Sequence, residues 1–307
     1  LIDYTNKFDK VDLNDLIVSD QKINNSENDI DKDLKESINI AFNNIYKFHK
    51  NQAFNSKITE TTPGVFCWQE KRAIENVGLY IPGGTAPLFS SVLMLAIPAM
   101  IANCKNIVLC SPPNNNGELH PAILYCAKLC KVNKVICVGG AQSIAAMSIG
   151  TESVPKVNKI FGPGNQYVTY AKLKSINYKT AIDMPAGPSE LLVLADQYAN
   201  PEYIASDLLS QAEHGPDSQV IFVSLSKSLI NDVEKCINDQ IENLDRKDFI
   251  NKSISNSKLI FFDNKEDAVE FINQYAPEHY IINVQDESFF IDNIVSAGSV
   301  FIGNYTP

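Results

Sequence analysis

The chain has 307 residues, 45% of them hydrophobic, which is enough to bury the cores of two domains. Its formal net charge is −10, and the sequence contains no run of basic residues and no interleaving of aromatic and basic residues. Nucleic acids and anionic membranes are therefore poor partners for it.

The cysteines and the apolar runs indicate the compartment. None of the seven cysteines forms a CxxC pair, and Cys104, Cys110 and Cys137 lie in or beside apolar runs, so we expect buried, reduced thiols and a cytoplasmic location. No charged and then apolar leader opens the chain, and its longest apolar stretch, residues 91–102, is interrupted by Pro98. Because that stretch is too short to span a bilayer, we expect a soluble protein.

The first 50 residues are polar, yet one helix is predicted within them. Apolar residues recur at positions 34, 38, 41, 42, 45 and 48, a spacing typical of one face of an amphipathic helix. Asp31 or Asp33 is the expected N-cap, and the apolar face is expected to pack against another part of the chain. We assign residues 1–70 to an N-terminal helical segment.

Short apolar strands alternate with helix-length stretches in the middle of the chain. Strands are predicted at residues 77–81, 107–110, 135–138 and 159–161, each followed by Gly or Pro. This pattern is typical of a parallel α/β sheet, and it assigns residues 71–189 to a first, incomplete Rossmann-like domain.

Ligands of such sheets bind at the carboxyl ends of the strands, where three glycine-rich turns lie at residues 82–84, 139–140 and 162–164. None of these turns has the GxGxxG spacing of a dinucleotide fingerprint, and glycine there could serve backbone geometry alone. The polar side chains beside the turns that could reach a ligand are Thr85, Gln142 and Asn165.

The pattern of strands and helices begins again after residue 189. Five further strands are predicted, at residues 191–194, 220–223, 259–262, 280–282 and 299–302. They assign residues 190–307 to a second incomplete Rossmann-like domain. The predicted fold class is therefore α/β, with two successive parallel sheets after the helical segment.

A helix between the first two of these strands carries a possible metal site. Asn200 and Pro201 mark its start, and residues 215–216 mark its end. Gln211 and His214 are then three residues apart in its last turn and project from one face. An imidazole nitrogen and an amide oxygen at the negative end of a helix could hold a zinc-like cation. The alternative is that both side chains only help to cap the helix.

A second candidate pair stands directly before the strand at residues 280–282. Glu278 and His279 place a carboxylate beside an imidazole, which supplies one base that works near neutral pH and a second base to position water. Neighbouring residues need not face one site. The alternative is a solvated Glu278 with His279 at the entrance of a strand.

Taken together, seven motifs in this order resemble histidinol dehydrogenase, the enzyme family that ends histidine biosynthesis. The motifs are GLYIPGG (78–84), GGAQ (139–142), FGPGN (161–165), DMPAGPSE (183–190), SQAEHGPD (210–217), APEH (276–279) and SAGS (296–299). Each motif alone is modest, but their order along the whole chain leaves little room for coincidence.

The resemblance implies a homodimeric enzyme that oxidises L-histidinol through an aldehyde to L-histidine. It also implies two NAD⁺ molecules per reaction and one zinc ion per site. The positions that match the family's NAD contacts are Tyr80, Gln142 and Asn165.

The resemblance also gives roles to residues in the second half of the chain. Ser189 matches a substrate contact, and Gln211 and His214 match two zinc ligands that also touch the substrate. Glu278 and His279 match the two catalytic bases. His279, itself a substrate contact, would take the alcohol proton, and Glu278 would activate the water that hydrates the aldehyde. Zinc would hold the imidazole and amino groups of the substrate.

One departure from the family pattern bears on activity. The family's other two zinc ligands, an Asp shortly after the SAGS motif and a His nearer the C-terminus, have no counterpart because the sequence ends at Pro307. The C-terminal segment that reaches into the partner's site is absent for the same reason. Since the sequence also starts at Leu1 without a methionine, we expect a chain trimmed at both ends that does not hold zinc tightly by itself.

Two other interpretations stay open. The first is a non-catalytic relative that acts as a metabolite-binding or dimerisation module, which would have little need for Glu278 beside His279. The second is an enzyme like the aldehyde dehydrogenases, with a cysteine nucleophile. The position of Cys137 inside an apolar strand, and the lack of a cysteine in a polar turn beside a base, disfavour it.

Overall fold

Two five-stranded parallel sheets organise the chain. The computed structural model describes residues 1–52, 56–83, 87–185, 189–216, 218–244 and 246–306. The chain divides into two compact units, Leu1–Ala186 and Gly187–Pro307, and each contains one of the sheets. Residues 1–70, assigned above to a segment of their own, fall within the first unit.

The first unit combines a short hairpin, a parallel sheet and seven described helices. Its strands are β1 (Thr59–Thr62), β2 (Val65–Cys67), β3 (Asn76–Tyr80), β4 (Asn106–Ser111), β5 (Lys134–Cys137), β6 (Lys159–Phe161) and β7 (Ala181–Ile182). Its helices are α1 (Ile2–Asp9), α2 (Asp20–Asn25), α3 (Lys32–Lys50), α4 (Phe89–Ile101), α5 (Pro121–Leu129), α6 (Gly140–Ile149) and α7 (Gln166–Ser175). Strands β1 and β2 pair antiparallel, and the parallel sheet has the order β5-β4-β3-β6-β7.

The four strands predicted in the first unit are confirmed to within one residue at each end. Their apolar runs are buried on both faces of the sheet, which is why they are easy to find in the sequence. The remaining three strands were not predicted. Strand β7 has only two residues, and the hairpin of β1 and β2 is exposed throughout, so its sequence carries no alternation of apolar and polar residues.

Helix α3 packs into the core of the first unit. Its N-cap is Asp31, whose side chain accepts a hydrogen bond of 2.8 Å from the backbone N–H of Leu34, as the sequence predicts. Ile38 is buried, and the rest of the apolar face except Phe48 packs against the same core, next to α4. Phe48 is 64% exposed, so the apolar face ends one turn before the helix does.

The second unit repeats the architecture with a sheet of its own. Its strands are β8 (Glu190–Ala195), β9 (Gln219–Ser224), β10 (Lys258–Phe261), β11 (His279–Asn283) and β12 (Ser299–Ile302). Its helices are α8 (Pro201–Ala212), α9 (Lys227–Ile241), α10 (Lys247–Ser255), α11 (Lys265–Tyr275) and α12 (Glu287–Asp292). The sheet is parallel with the order β10-β9-β8-β11-β12, and all five predicted strands are confirmed to within one residue at each end.

The two sheets share one strand order, which determines where ligands can enter. In each sheet the first strand lies in the centre, the next two strands extend to one side and the last two to the other. The chain therefore changes direction between β3 and β6 and again between β8 and β11. Such switch points open a crevice at the carboxyl ends of the strands.

No helix in the described ranges is long and apolar enough to cross a membrane. The apolar stretch that contains Pro98 forms α4, which has 13 residues and packs against the sheet of the first unit.

The packing of α3 can be tested with two isoleucines on the same helix. Ile38 is 1% exposed and Ile40 is 56% exposed. We expect Ile38→Ala to lower the free energy of unfolding by about 3 kcal/mol, because it leaves a cavity in the core. Ile40→Ala should change it by less than about 0.5 kcal/mol. Urea denaturation followed by circular dichroism measures both, and equal effects would contradict the packing described.

Candidate active site

At the carboxyl edge of the first sheet, Tyr80 ties two strand ends together. This residue ends β3 and is 4% exposed, and its hydroxyl accepts a hydrogen bond of 3.2 Å from the backbone N–H of Gly140, which follows β5. Burial raises the pKa of the Tyr80 phenol, while the hydrogen bond from Gly140 acts in the opposite direction. The Tyr80 side chain is therefore neutral and held in place at this edge.

Gln142 lies next to this contact, in the first turn of α6. Gly140 adopts a φ of +64°, and a Cβ there would lie 2.7 Å from the Gln142 side-chain oxygen. The glycine thus lets the Gln142 amide lie close to the turn. The Tyr80 hydroxyl and the Gln142 amide both lie beside Gly140. The predicted candidates Gly84 and Thr85 lie outside the described residues.

The turn after β6 approaches the end of β3 on its other side. Gly162 has a φ of +127°, and a Cβ there would collide with the backbone carbonyl oxygen of Tyr80. Three residues on, Asn165 caps α7: its side-chain oxygen accepts hydrogen bonds of 3.1 Å from the N–H groups of Tyr167 and Val168. Because the oxygen is used by the cap, the exposed amide nitrogen is the group left to reach a ligand.

In the second unit, the predicted reaction residues lie at the opposite edge of the sheet, where the strands begin. Glu190, His279 and Ser299 are the first residues of β8, β11 and β12. Helix α8 ends at Ala212 before the chain enters β9 at Gln219, so it ends at this same amino edge. The general rule for α/β sheets places ligands at the carboxyl edge, whereas the residues predicted to react in the second unit lie at the amino edge.

Glu278 and His279 both turn toward the main chain of Glu190. The Nδ1 atom of His279 lies 3.2 Å from the Glu190 carbonyl oxygen, and the Glu190 N–H donates to Oε2 of Glu278 at 3.3 Å. A carbonyl only accepts, so Nδ1 carries the proton and Nε2 is left as the free base. Nδ1 of His279 lies 3.9 Å from Oε2 of Glu278, and both side chains are partly exposed. Their shared orientation is the arrangement that two neighbouring bases need.

Gly298 explains why the SAGS motif is needed here. The backbone N–H groups of Gly298 and Ser299 donate to the carbonyls of Pro277 and Glu278, at 3.0 and 2.8 Å. A Cβ on Gly298 would meet the Glu278 carbonyl oxygen at 2.5 Å. Only glycine lets the segment before β12 lie against the backbone that carries Glu278.

Two polar residues at this edge were not singled out from the sequence. Burial, followed by the charge of Glu278, raises the pKa of Glu190. Burial, followed by the charge of Glu190, raises the pKa of Tyr275 to about 12, and its hydroxyl donates to the side-chain oxygen of Gln219 at 2.9 Å. Glu190 stands in one of the quoted motifs, which was the available signal, whereas Tyr275 ends a helix and carried none.

Ser189 and the α8 terminus complete the described part of this edge. Ser189 is half-buried directly before β8, and its carbonyl accepts a hydrogen bond of 3.4 Å from the Gln219 N–H. The start of α8 is as predicted, since the Asn200 side chain accepts from the Glu202 N–H and Pro201 occupies the first turn.

The end of α8 differs from the prediction. The helix ends at Ala212, so His214 does not lie in its last turn, and the predicted common helical face with Gln211 is wrong. Gln211 is buried, whereas His214 is exposed and donates its backbone N–H to the Gln211 carbonyl at 3.2 Å. The helix stops before Gly215 because Glu213 already serves as its C-cap.

The donor set at this end suits part of a zinc site. The amide nitrogen of Gln211 is buried without a hydrogen-bond partner, a cost that a hydrogen-bond acceptor, and not a cation, would offset. An amide oxygen and an imidazole are donors that zinc accepts, although a zinc site has four ligands. In the ranges described, no group of three or more His, Cys, Asp or Glu side chains is placed to hold a metal.

The whole chain matches one protein family. The family is described as histidinol dehydrogenase, and the match covers residues 1–307. The chain is 55% identical over 300 residues to the histidinol dehydrogenase of Bacteroides fragilis (strain YCH46), covering 98% of this chain and 70% of that protein. It is 50% identical over 308 residues to the chloroplastic histidinol dehydrogenase of Arabidopsis thaliana, covering 99% and 66%.

Solved structures agree with the sequence comparisons. A crystal structure of histidinol dehydrogenase from Elizabethkingia anophelis superposes with a TM-score of 0.97 at 50% identity, covering 100% of this chain and 71% of that one. An apo betaine aldehyde dehydrogenase from Staphylococcus aureus superposes with a TM-score of 0.57 at 11% identity, covering 87% and 68%. The second likeness shows a shared fold alone.

The carboxyl of Asp207, one turn before Gln211 on α8, generates a pH prediction. Burial raises its pKa to about 6, so the folded chain binds this proton more tightly than the unfolded chain does. Stability should fall as the pH rises from about 4 to about 6 and stay lowered above that range. Asp207→Asn removes the charge and should stabilise the chain at neutral pH by about 1 kcal/mol, because solvent screens a half-buried group.

Thermal unfolding in metal-free buffer at neutral pH and near pH 4 measures this effect. The stabilisation should be present at neutral pH and absent near pH 4. The exposed Asp232 on α9 provides the control, since Asp232→Asn should show no such difference. A gain of the same size at both pH values for Asp207→Asn would mean that the carboxyl is not the titrating group.

Proposed function

The chain belongs to the histidinol dehydrogenase family, and from this premise we propose that it oxidises L-histidinol through the aldehyde to L-histidine with NAD⁺ and one zinc ion per site. The observation that carries the proposal is the convergence of Glu278 and His279 on the main chain of Glu190, beside Ser189. Two bases held side by side suit a reaction that first removes an alcohol proton and then adds water.

The overall reaction consumes one water and two NAD⁺. The alcohol carbon loses a hydride and the hydroxyl loses a proton, which gives the aldehyde. Water adds to the aldehyde, and the hydrate loses a second hydride and a second proton, which gives the acid. Bound NAD⁺ supplies the hydride acceptor of each step, and zinc supplies a template for the imidazole and amino groups of the substrate.

The chain's own residues divide the proton transfers. Because Nδ1 of His279 is bound to the Glu190 carbonyl, its Nε2 is the atom that accepts the alcohol proton. The Glu278 carboxylate is held by the Glu190 N–H and is half exposed, which suits it to take a proton from the attacking water. Ser189, directly before Glu190 in the sequence, would bind the substrate.

Gln211 and His214 would supply two zinc ligands. The amide oxygen of Gln211 and the exposed imidazole of His214 are donor types that zinc accepts, which supports this assignment. The resemblance places the two remaining ligands beyond residue 307, and the chain spans 70% of the length of the Bacteroides fragilis relative. Both ligands would therefore be expected on residues outside this sequence.

Tyr80, Gln142 and Asn165 would contact NAD⁺. At the carboxyl edge of the first sheet, Tyr80 ends β3, Gln142 lies in the first turn of α6, and Asn165 caps α7. This edge contains the switch point between β3 and β6, where nucleotides bind in open α/β sheets. Helices α6 and α7 also begin there, and helix starts favour the negative charge of a pyrophosphate.

We also propose that the protein is a homodimer and that it is located in the cytoplasm. The homodimer follows from the family resemblance alone. The cytoplasmic location is supported by seven free cysteines, including the buried Cys110 and Cys137.

The burial of Cys110 and Cys137 disfavours the alternative in which a cysteine acts as the nucleophile. Burial raises the pKa of Cys110 and of Cys137 to about 12, so neither is a thiolate at neutral pH. A metabolite-binding module remains the second candidate. It would bind histidinol or nucleotide without turnover.

The proposal is tested by incubating the 307-residue chain with L-histidinol, NAD⁺ and excess zinc, following NADH by absorbance and measuring bound zinc in the same sample. Two ligands alone hold zinc weakly, so we expect little turnover until the chain is extended to the length of its relatives. The extended chain should form NADH in a histidinol-dependent manner. Nucleotide and histidinol binding without turnover in the extended chain would favour the binding module instead.

The division of labour predicts different losses for two variants of the active, extended chain. His279→Asn should lower alcohol oxidation by about 10³-fold or more, because the base is lost. Glu278→Gln should leave the rate of alcohol oxidation unchanged and slow the oxidation of supplied aldehyde, because the hydration of the aldehyde loses its base. His49→Asn, at a partly exposed histidine of α3 in the first unit, is the control and should change neither rate. Equal loss of both steps in Glu278→Gln would contradict the assignment.

A further inference from the structure

An ion pair between a buried lysine and a partly exposed aspartate holds the peptide groups of Gly162 at the carboxyl edge of the first sheet. Lys172, on the inner face of α7, is 3% exposed and pairs with the carboxylate of Asp183, which follows β7. The Lys172 ammonium also donates a hydrogen bond of 2.7 Å to the Gly162 carbonyl. The Asp183 carboxylate accepts one of 2.8 Å from the Gly162 N–H.

Both backbone groups of Gly162 are therefore bound by side chains rather than by a neighbouring strand. The second oxygen of Asp183 accepts from the Met184 N–H at 2.8 Å, so the carboxylate is fully engaged. The backbone N–H of Asp183 in turn donates to the Ile160 carbonyl at 3.1 Å, which fixes the pair to β6. The pair thus sets the direction in which the chain leaves β6.

Placing a charged lysine between α7 and the sheet costs desolvation free energy. Lysine is almost never buried unless it is paired, and a buried pair is often no more stable than apolar residues of similar volume. What an apolar residue could not do is hold the Gly162 carbonyl and N–H at the same time. The gain lies in the orientation of the turn.

The orientation of this turn must be fixed because its backbone is closely packed against β3. Gly162 lies directly against the Tyr80 carbonyl at a backbone φ of +127°, and three residues later Asn165 caps α7. A small rotation of the Gly162 peptide would either drive it into β3 or swing Asn165 away from this edge. The proposed nucleotide contacts Tyr80 and Asn165 lie on the two sides of this one peptide.

We infer that Lys172 and Asp183 are positioning residues for nucleotide binding, which hold the turn at residues 162–165 in the orientation that NAD⁺ requires. This inference rests on the proposed binding of NAD⁺ at this edge. A residue with only a structural role would lower stability without changing the nucleotide affinity of the folded chain.

The test is calorimetric titration of the 307-residue chain with NADH, well below the unfolding temperature of every variant. We expect Lys172→Met to weaken NADH binding by about tenfold or more, since loss of one charge-assisted contact corresponds to that factor. Asp183→Asn should weaken it similarly. Lys172→Arg keeps the charge and should restore most of the affinity.

Lys174→Met is the matched control, because Lys174 lies on the same helix but is exposed. Its NADH affinity should equal that of the unsubstituted chain. In the active, extended chain, Lys172→Met should raise the KM for NAD⁺ and leave the KM for histidinol unchanged. That separation would not result from a general loss of stability.

The outcomes separate the two proposals. If the unsubstituted chain binds no NADH, the proposed nucleotide site falls and the positioning inference falls with it. If it binds NADH and the folded Lys172→Met and Asp183→Asn variants bind equally well, the positioning inference alone is overturned. Should Lys172→Met fail to fold, Asp183→Asn is judged by the same criterion, because it keeps the size of the side chain close to the original.

Discussion

In each unit, a strand end lies directly against the backbone of its neighbour, and only a glycine permits this contact. Gly162 lies against the Tyr80 carbonyl in the first unit, and Gly298 lies against the Glu278 carbonyl in the second. A Cβ at either position would push the two chains apart and carry the neighbouring polar residues with them. The candidate cofactor and reaction sites therefore depend on close backbone packing before any side chain is considered.

The charges at the two sites follow from this packing. At the start of β8, the N–H of Glu190 binds the Glu278 carboxylate and the carbonyl of Glu190 binds the His279 imidazole. The main chain of one residue therefore orients both side chains. Burial, followed by the charge of the Glu278 carboxylate, raises the pKa of Glu190. In the first unit, a buried lysine and a partly exposed aspartate hold the Gly162 peptide groups in the same way.

Much of the fold could be predicted from the sequence, because strands buried on both faces read as short apolar runs that end in Gly or Pro. The two-residue β7 and the exposed hairpin lack that signal. The candidate residues could be located by motif, but their arrangement could not. That His279 faces Glu190 depends on the pairing of β11 with β8, which joins residues far apart in the sequence. Lys172 was missed because a lysine in a polar helix reads as solvated, and the common face of Gln211 and His214 failed because local spacing does not fix where a helix ends.

The use of opposite edges in the two units has an electrostatic reason. In a parallel α/β unit, helices begin near the carboxyl ends of strands and end near the amino ends. The carboxyl edge of the first sheet collects the positive starts of α6 and α7, whereas the amino edge of the second collects the negative ends of α8 and α11. An anionic dinucleotide is favoured at the first edge, and a metal cation or a protonated imidazole is favoured at the second. The same strand order thus gives the two candidate edges opposite electrostatic character, and no change of fold between the units is needed for this difference.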